Sequence, residues 1–301
     1  MTQALAGVMR LLLCSLALLL SGCDTGNRAP LPDGPSRVAL WEVTGPQGQQ
    51  AWIFGTVHVL PKGLEWRTPA LDQALAKSDR LVMEIGGEID AGEVARLLER
   101  LGQTPGLPLP ADRATPAKRS TVTEAFDKLD LKQTRYTSTE SWVVALQLAG
   151  AASAKAGASA DEGVEQALRA QAGAKPIVGL ETIEGQFRLF DTLPLPQQTR
   201  LLEQTATDIV SERDEERDLV RLWLAGDDEA IAREVSSGLL ADPQLRQVLL
   251  TDRNTRWIGQ IEQMTAKGAK PFIAVGAAHV AGPDGLPAMF ARKGWQVRRL
   301  P

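Results

Sequence analysis

The chain has 301 residues, 44% of them hydrophobic, so it is long enough to bury one large core or two closely packed lobes. Its 33 basic and 37 acidic residues leave a net charge of −4, which provides no basic footprint and argues against nucleic acid as a partner. After Leu20 no apolar run is long enough to cross a bilayer.

Residues 1–22 read as a lipoprotein signal peptide. Arg10 closes a weakly basic start, Leu11 to Leu20 is apolar but short for a span, and small residues follow. Leu20-Ser21-Gly22-Cys23 resembles a bacterial lipobox, which implies cleavage before Cys23 and acylation of its thiol. The alternatives are an ordinary secretory signal or an uncleaved anchor. The lipid places the domain in the cell envelope, outside the cytoplasm, with the membrane as a partner. Asp24 resembles the signal that keeps such proteins on the periplasmic face of the inner membrane. Cys14 leaves with the signal and Cys23 carries lipid, so neither a disulfide nor a thiolate metal site is expected. Oligomeric state is not specified by any of these features.

Residues 23–36, rich in Gly, Pro and Asn, read as a tether. The domain is expected over 37–301. Val38 to Val43 and Ala51 to Val57 are strand-like around Gly45-Pro46-Gln47-Gly48, whose composition is that of a turn. A helix over Pro69 to Ser78 leads into Arg80 to Ile85, nearly all apolar like a central strand, and a helix over Ala91 to Gly102 follows. A helical insertion over about 111–266 comes next. Its helices are predicted over Ser141 to Ala156, Asp161 to Ala172, Pro196 to Val210, Glu212 to Ala225 and Asp242 to Ala266, interrupted by one strand at Pro176 to Leu180. The chain closes with a strand over Pro271 to Val275, a short helix after Pro283 and a strand over Trp295 to Leu300. The fold class is therefore α/β, with a mixed sheet: a single domain with strands from both ends of the chain and a large helical insertion.

The two histidines of the chain end the same motif. Gly55-Thr56-Val57-His58 follows Trp52-Ile53-Phe54, and Gly276-Ala277-Ala278-His279 follows Phe272 to Val275. Placing the whole histidine complement at two matching strand ends points to a shared site. Glu84 and Glu181 also close strand-like runs, and ligands of α/β sheets bind beyond the carboxyl ends of strands. A buried carboxylate at Glu84 requires a cation, a metal or an exposed strand end. Glu181 has helix-start electrostatics as a competing role, since Thr182 can cap a helix. His58, Glu84 and His279 suit a divalent metal such as Mn, Co or Zn, with Glu181 a further ligand or general base. Arg253 taken alone reads as a surface arginine. With Glu84 and Glu181 it is nevertheless assigned to the catalytic set, to pair with a site carboxylate or stabilise a developing oxyanion. The charged run Glu212 to Asp218 reads as a solvated helix face.

These residues also resemble the TraB/GumN family, over nearly the whole predicted domain and in the right order. The likeness runs from Trp41 and Ile53-Phe54-Gly55-Thr56-Val57-His58 through Leu81-Val82-Met83-Glu84, Gly163-Val164-Glu165 and Gly179-Leu180-Glu181-Thr182 with Gln186. It ends with Arg253-Asn254 and Val275-Gly276-Ala277-Ala278-His279-Val280-Ala281-Gly282. Glu165 stands where the family pattern usually has aspartate. The family resembles the animal Tiki proteins, which are membrane-tethered, metal-dependent proteases, and a wider kinship includes erythromycin-esterase-like and haem-binding ChaN-like proteins. The resemblance thus implies a metal-assisted hydrolase site; the substrate, which the resemblance does not supply, is expected to be a peptide or another small molecule. The alternative is a lipoprotein that binds metal, haem or a small ligand in the same cleft without turnover.

Overall fold

The computed structural model describes residues 35–58, 60–61, 63–156, 163–211 and 215–301. The signal peptide, the acylation site Cys23 and all of the tether but its last two residues lie outside them. The described residues form two compact units, one drawn from 89–160 and 183–217, the other from the residues up to 88, 161–182 and 218–301.

The second unit holds the sheet. Its strands are β1 (Leu40–Thr44), β2 (Gln50–Thr56), β3 (Arg80–Ile85), β4 (Ile177–Glu181), β5 (Pro271–Gly276) and β6 (Gln296–Leu300). The order is β4-β3-β5-β2-β1-β6. β4, β3, β5 and β2 pair in parallel, while β1 runs antiparallel to both β2 and β6. The mixed α/β class read from the sequence is the class observed.

Period-two alternation sorts the strand residues between two cores. Leu40, Trp52, Phe54, Leu81, Met83, Phe272 and Ala274 face one way. They are covered by α1 (Pro69–Lys77), by the helix Val164–Ala172, and by the helices Glu215–Ala225 and Asp228–Ser237. Trp41, Val43, Ile53, Val82, Ile273 and Val275 face the other way, under the helices Asp252–Ala266 and Leu286–Arg292. The unit is a three-layer α/β/α sandwich, and β5 is buried along its whole length.

The first unit is helical. It comprises α2 (Ala91–Leu101), α3 (Pro110–Arg113), α4 (Arg119–Lys128), α5 (Ser141–Lys155), α7 (Ile183–Asp191) and α8 (Leu195–Val210); the intervening α6 is Val164–Ala172. Trp142 on α5 is fully buried, 6.0 Å from Phe187 and 6.2 Å from Phe190, ring centre to ring centre. Arg113 holds the loop ahead of α5 by donating to the carbonyls of Pro108, Tyr136 and Thr139.

The remaining helices are α9 (Glu215–Ala225), α10 (Asp228–Ser237), α11 (Pro243–Arg246), α12 (Asp252–Ala266) and α13 (Leu286–Arg292). Those beyond residue 218 belong to the sheet unit, because Leu219, Val220 and Trp223 cover one face of the sheet and Trp257, Ile258 and Ile261 the other. Helices α4 and α10 carry little apolar signal. α10 buries only Ile231 among its residues and is started by Asp227, whose side chain accepts from the Ala230 N–H. The helix expected over Asp242 to Ala266 is continuous over 243–266 but is widened in its first half. A π-helical stretch, Gln247–Thr251, separates α11 from α12. Such widenings gather at functional sites.

Candidate functional site

β2, β3, β4 and β5 end on one edge, since Thr56 pairs with Gly276, Met83 with Ala274 and Ile85 with Glu181. The two GxxH turns extend neighbouring parallel strands. The first turn needs glycine at residue 55 because a Cβ there would stand 2.6 Å from Val280 Cγ2 and 3.2 Å from the Ala277 backbone. The second motif thus packs directly on the first. The Gly55 carbonyl accepts from the Trp223 indole at 2.7 Å.

The centre of the site is Arg253. Alternation places Glu84 on the same face as Val82, towards α12, where Arg253 sits in the first turn behind the π-helical stretch. The arginine read alone as a surface residue is fully buried. It follows the buried phase of its helix, with Asn254, Trp257, Ile258 and Ile261. Nη2 donates to Glu84 Oε2 at 2.7 Å and to Glu181 Oε2 at 2.8 Å. Nε donates to Glu181 Oε1 at 3.0 Å, and Nη1 to the Leu249 carbonyl at 3.2 Å. Nη1 also lies 2.9 Å from His279 Nε2. The guanidinium carbon is 4.7 Å from the Trp257 ring centre, and that ring is 4.4 Å from His279.

Both carboxylates are fully engaged. Glu84 Oε1 accepts from the Gly276 N–H at 2.9 Å, and Glu181 Oε1 accepts from the Trp257 indole at 3.1 Å. Burial by itself raises the Glu84 pKa, but Arg253, His279, His58 and the Gly276 N–H outweigh it and hold the value at about 2. Burial likewise opposes the charge on Arg253, and Glu84 with Glu181 reverses it, so the guanidinium stays protonated with a raised pKa. His279 is pushed down to about 3 by burial first and by the Arg253 charge second. It is a neutral imidazole at physiological pH.

His58 occupies a different setting. Its Nδ1 lies 2.8 Å from Glu165 Oε1, and 10% of the His58 side chain and 21% of the Glu165 side chain are exposed. The Thr56 hydroxyl donates to the same Glu165 oxygen at 2.5 Å. Gly163 closes against this turn, where a Cβ would meet the His58 carbonyl oxygen at 2.3 Å, and the Val164 N–H donates to the Val57 carbonyl at 3.3 Å. The charge of His58 acts on both Glu84 and His279. Glu84, Glu181, Arg253 and His279 are therefore in direct contact, with His58 in their electrostatic neighbourhood.

Two residues gained roles that the sequence reading did not assign. Asn254 Oδ1 lies 2.7 Å from His279 Nδ1, while its Nδ2 donates to the His279 and Asp284 carbonyls. Trp257, read as part of an apolar face, donates to Glu181. Adjacent polar residues in phase with Trp257, Ile258 and Ile261, the apolar stripe of the helix, were the available signal for Asn254.

The donor set tests the divalent ion directly. His279 has both ring nitrogens committed within the protein, and Glu84 and Glu181 face the Arg253 guanidinium, with Arg256 3.8 Å from Glu181. Among the described residues, His58 and Glu165 form a second group, short of the three protein ligands of an ordinary catalytic zinc site. Among the described residues, no three His, Cys, Asp or Glu side chains are grouped to hold an ion. An ion bound jointly by His58, Glu84 and His279 does not fit this arrangement.

Sheet order, paired GxxH turns and the charged cluster at their edge define an α/β protein with a polar site beyond its parallel strands. The chain belongs to the TraB/PrgY/gumN family, whose model matches residues 39–299. It is 27% identical over 295 residues to a Treponema pallidum (strain Nichols) protein described as an uncharacterized protein, covering 91% of this chain and 87% of the relative. No solved structure matches it. No helix among the described residues is long and apolar enough to cross a membrane.

Proposed function

We propose that the protein is a lipid-anchored hydrolase working outside the cytoplasm on a peptide or similar acyl bond. One observation carries this reading: a partly exposed imidazole–carboxylate pair, His58 with Glu165, lies in the electrostatic neighbourhood of a buried guanidinium clamped by two carboxylates. An imidazole held beside a carboxylate suits general-base work, because it can take a proton from water or a hydroxyl. Strand ends fix these groups more rigidly than a free loop would. The anchor is supported by Leu20-Ser21-Gly22-Cys23.

The test uses the full chain in detergent against peptide and ester substrates. Each is assayed with and without Mn²⁺, Co²⁺ or Zn²⁺, before and after chelation. His58→Gln is expected to lower kcat/KM by about 10²–10⁴-fold, the usual size of a general-base contribution. Unchanged turnover in that variant rejects the assignment of the base. Absence of turnover under every condition, with tight binding of one ligand, rejects the hydrolase in favour of a binding protein.

A further inference from the structure

We infer that the two matched histidines have different tasks: His279 is a fixed neutral acceptor that positions Arg253, and Arg253 is the site's resident cation in place of a metal held by His279. The positioning role rests on the hydrolase reading. The hydrogen-bond assignment stands without it.

The assignment follows from counting donors and acceptors. A guanidinium has N–H groups and no acceptor, so at 2.9 Å from Arg253 Nη1 the Nε2 of His279 must accept. A neutral imidazole accepting through Nε2 carries its proton on Nδ1. That N–H then donates to Asn254 Oδ1 at 2.7 Å. The amide orientation agrees independently, since Asn254 Nδ2 donates to the His279 and Asp284 carbonyls, leaving Oδ1 as the acceptor for the ring. Every hydrogen bond in the chain Asn254–His279–Arg253 has one donor and one acceptor. The tautomer is determined.

This tautomer excludes His279 as a metal ligand. One nitrogen bears a proton and the other is occupied by Arg253. Freeing Nε2 would require the guanidinium to leave Glu84 and Glu181 as well, because all three groups meet the same planar fork. Arg253 is fully buried and lies over the Trp257 ring, so leaving the fork would also forfeit that contact. The repeated motif therefore supplies unlike parts: at its second copy an anchor for a cation, at its first a histidine beside Glu165.

The chain's two histidines make the test compact. The full chain, purified in detergent without chelator or histidine tag, is labelled with ¹⁵N-histidine and studied by long-range ¹H–¹⁵N correlation at pH 7. His58→Gln assigns the two imidazoles. The expected His279 pattern is a protonated Nδ1 and an unprotonated Nε2, unchanged by a tenfold excess of Zn²⁺. A protonated Nε2, a charged ring, or a metal-bound shift at His279 Nε2 overturns the inference, whether the metal was added or came with the protein. A metal seen only at His58 supports it. Because no step measures turnover, failure of the hydrolase reading is distinguishable from failure of this assignment.

Discussion

At the residue scale the decisive feature is a buried charge whose partners are all specified. Arg253 donates to two carboxylates, a carbonyl and an imidazole, and removing one member of such a network leaves the others buried and unmatched. Arg253→Lys, a point charge unable to reproduce the fork, is expected to destabilise the fold by about 3–5 kcal/mol, read from the midpoint of urea unfolding. An unchanged midpoint would remove the network from the stability of the sheet unit. The same groups set an acid response. His279 falls from an ordinary 6.5 to about 3 on folding, so the unfolded chain binds the extra proton, and stability present above pH 6.5 declines towards pH 3. The slope from this one group is about 1.4 kcal/mol per pH unit. Glu84, held at about 2 against an ordinary 4.5, adds a second loss of the same sign below pH 4.5. His279→Gln is expected to flatten the decline between pH 6.5 and 4.5, measured as unfolding free energy against pH.

At the scale of elements, the site exists because two parallel strands stop at the same level and turn over one another. Gly55→Ala tests this packing. The added methyl would meet Val280 Cγ2 at 2.6 Å and the Ala277 backbone at 3.2 Å, so the second turn must shift. A loss of about 1–3 kcal/mol is expected from overpacking, along with a displaced His279 imidazole resonance. A variant as stable as the parent with unmoved histidine signals would show that the turns are not tightly coupled. Helix α12 supplies the other half of the site. The π-helical stretch ahead of it leads into the turn that carries Arg253, whose Nη1 reaches back to the Leu249 carbonyl within that stretch.

At the scale of the whole molecule, the sheet unit is assembled from the beginning, middle and end of the chain. β4 comes from the middle, between two helical stretches, and brings Glu181 to the edge already formed by β2, β3 and β5. The proposed anchor belongs to this scale too. Cys23→Ser is expected to abolish acylation and release the protein from membranes, followed by metabolic lipid labelling and fractionation. A wild-type protein whose mature N-terminus is unlipidated would end the lipoprotein assignment.

Much of this arrangement was legible in the order of residues. Gly55 and Gly276, followed three positions later by His58 and His279, marked two strand ends, and Leu81-Val82-Met83-Glu84 marked a third, because apolar runs and turn glycines are local signals. The α/β class followed from the same local periods. What required tertiary structure was the partner of each polar group. Arg253 lies 169 positions from Glu84 and 72 from Glu181, and local periodicity carries no information about pairing over such distances. The unequal roles of the two histidines were hidden for the same reason. A shared Gly-x-x-His pattern made them look alike, and only the packing of α12 against β5 set one beside a guanidinium, while α6 set the other beside Glu165.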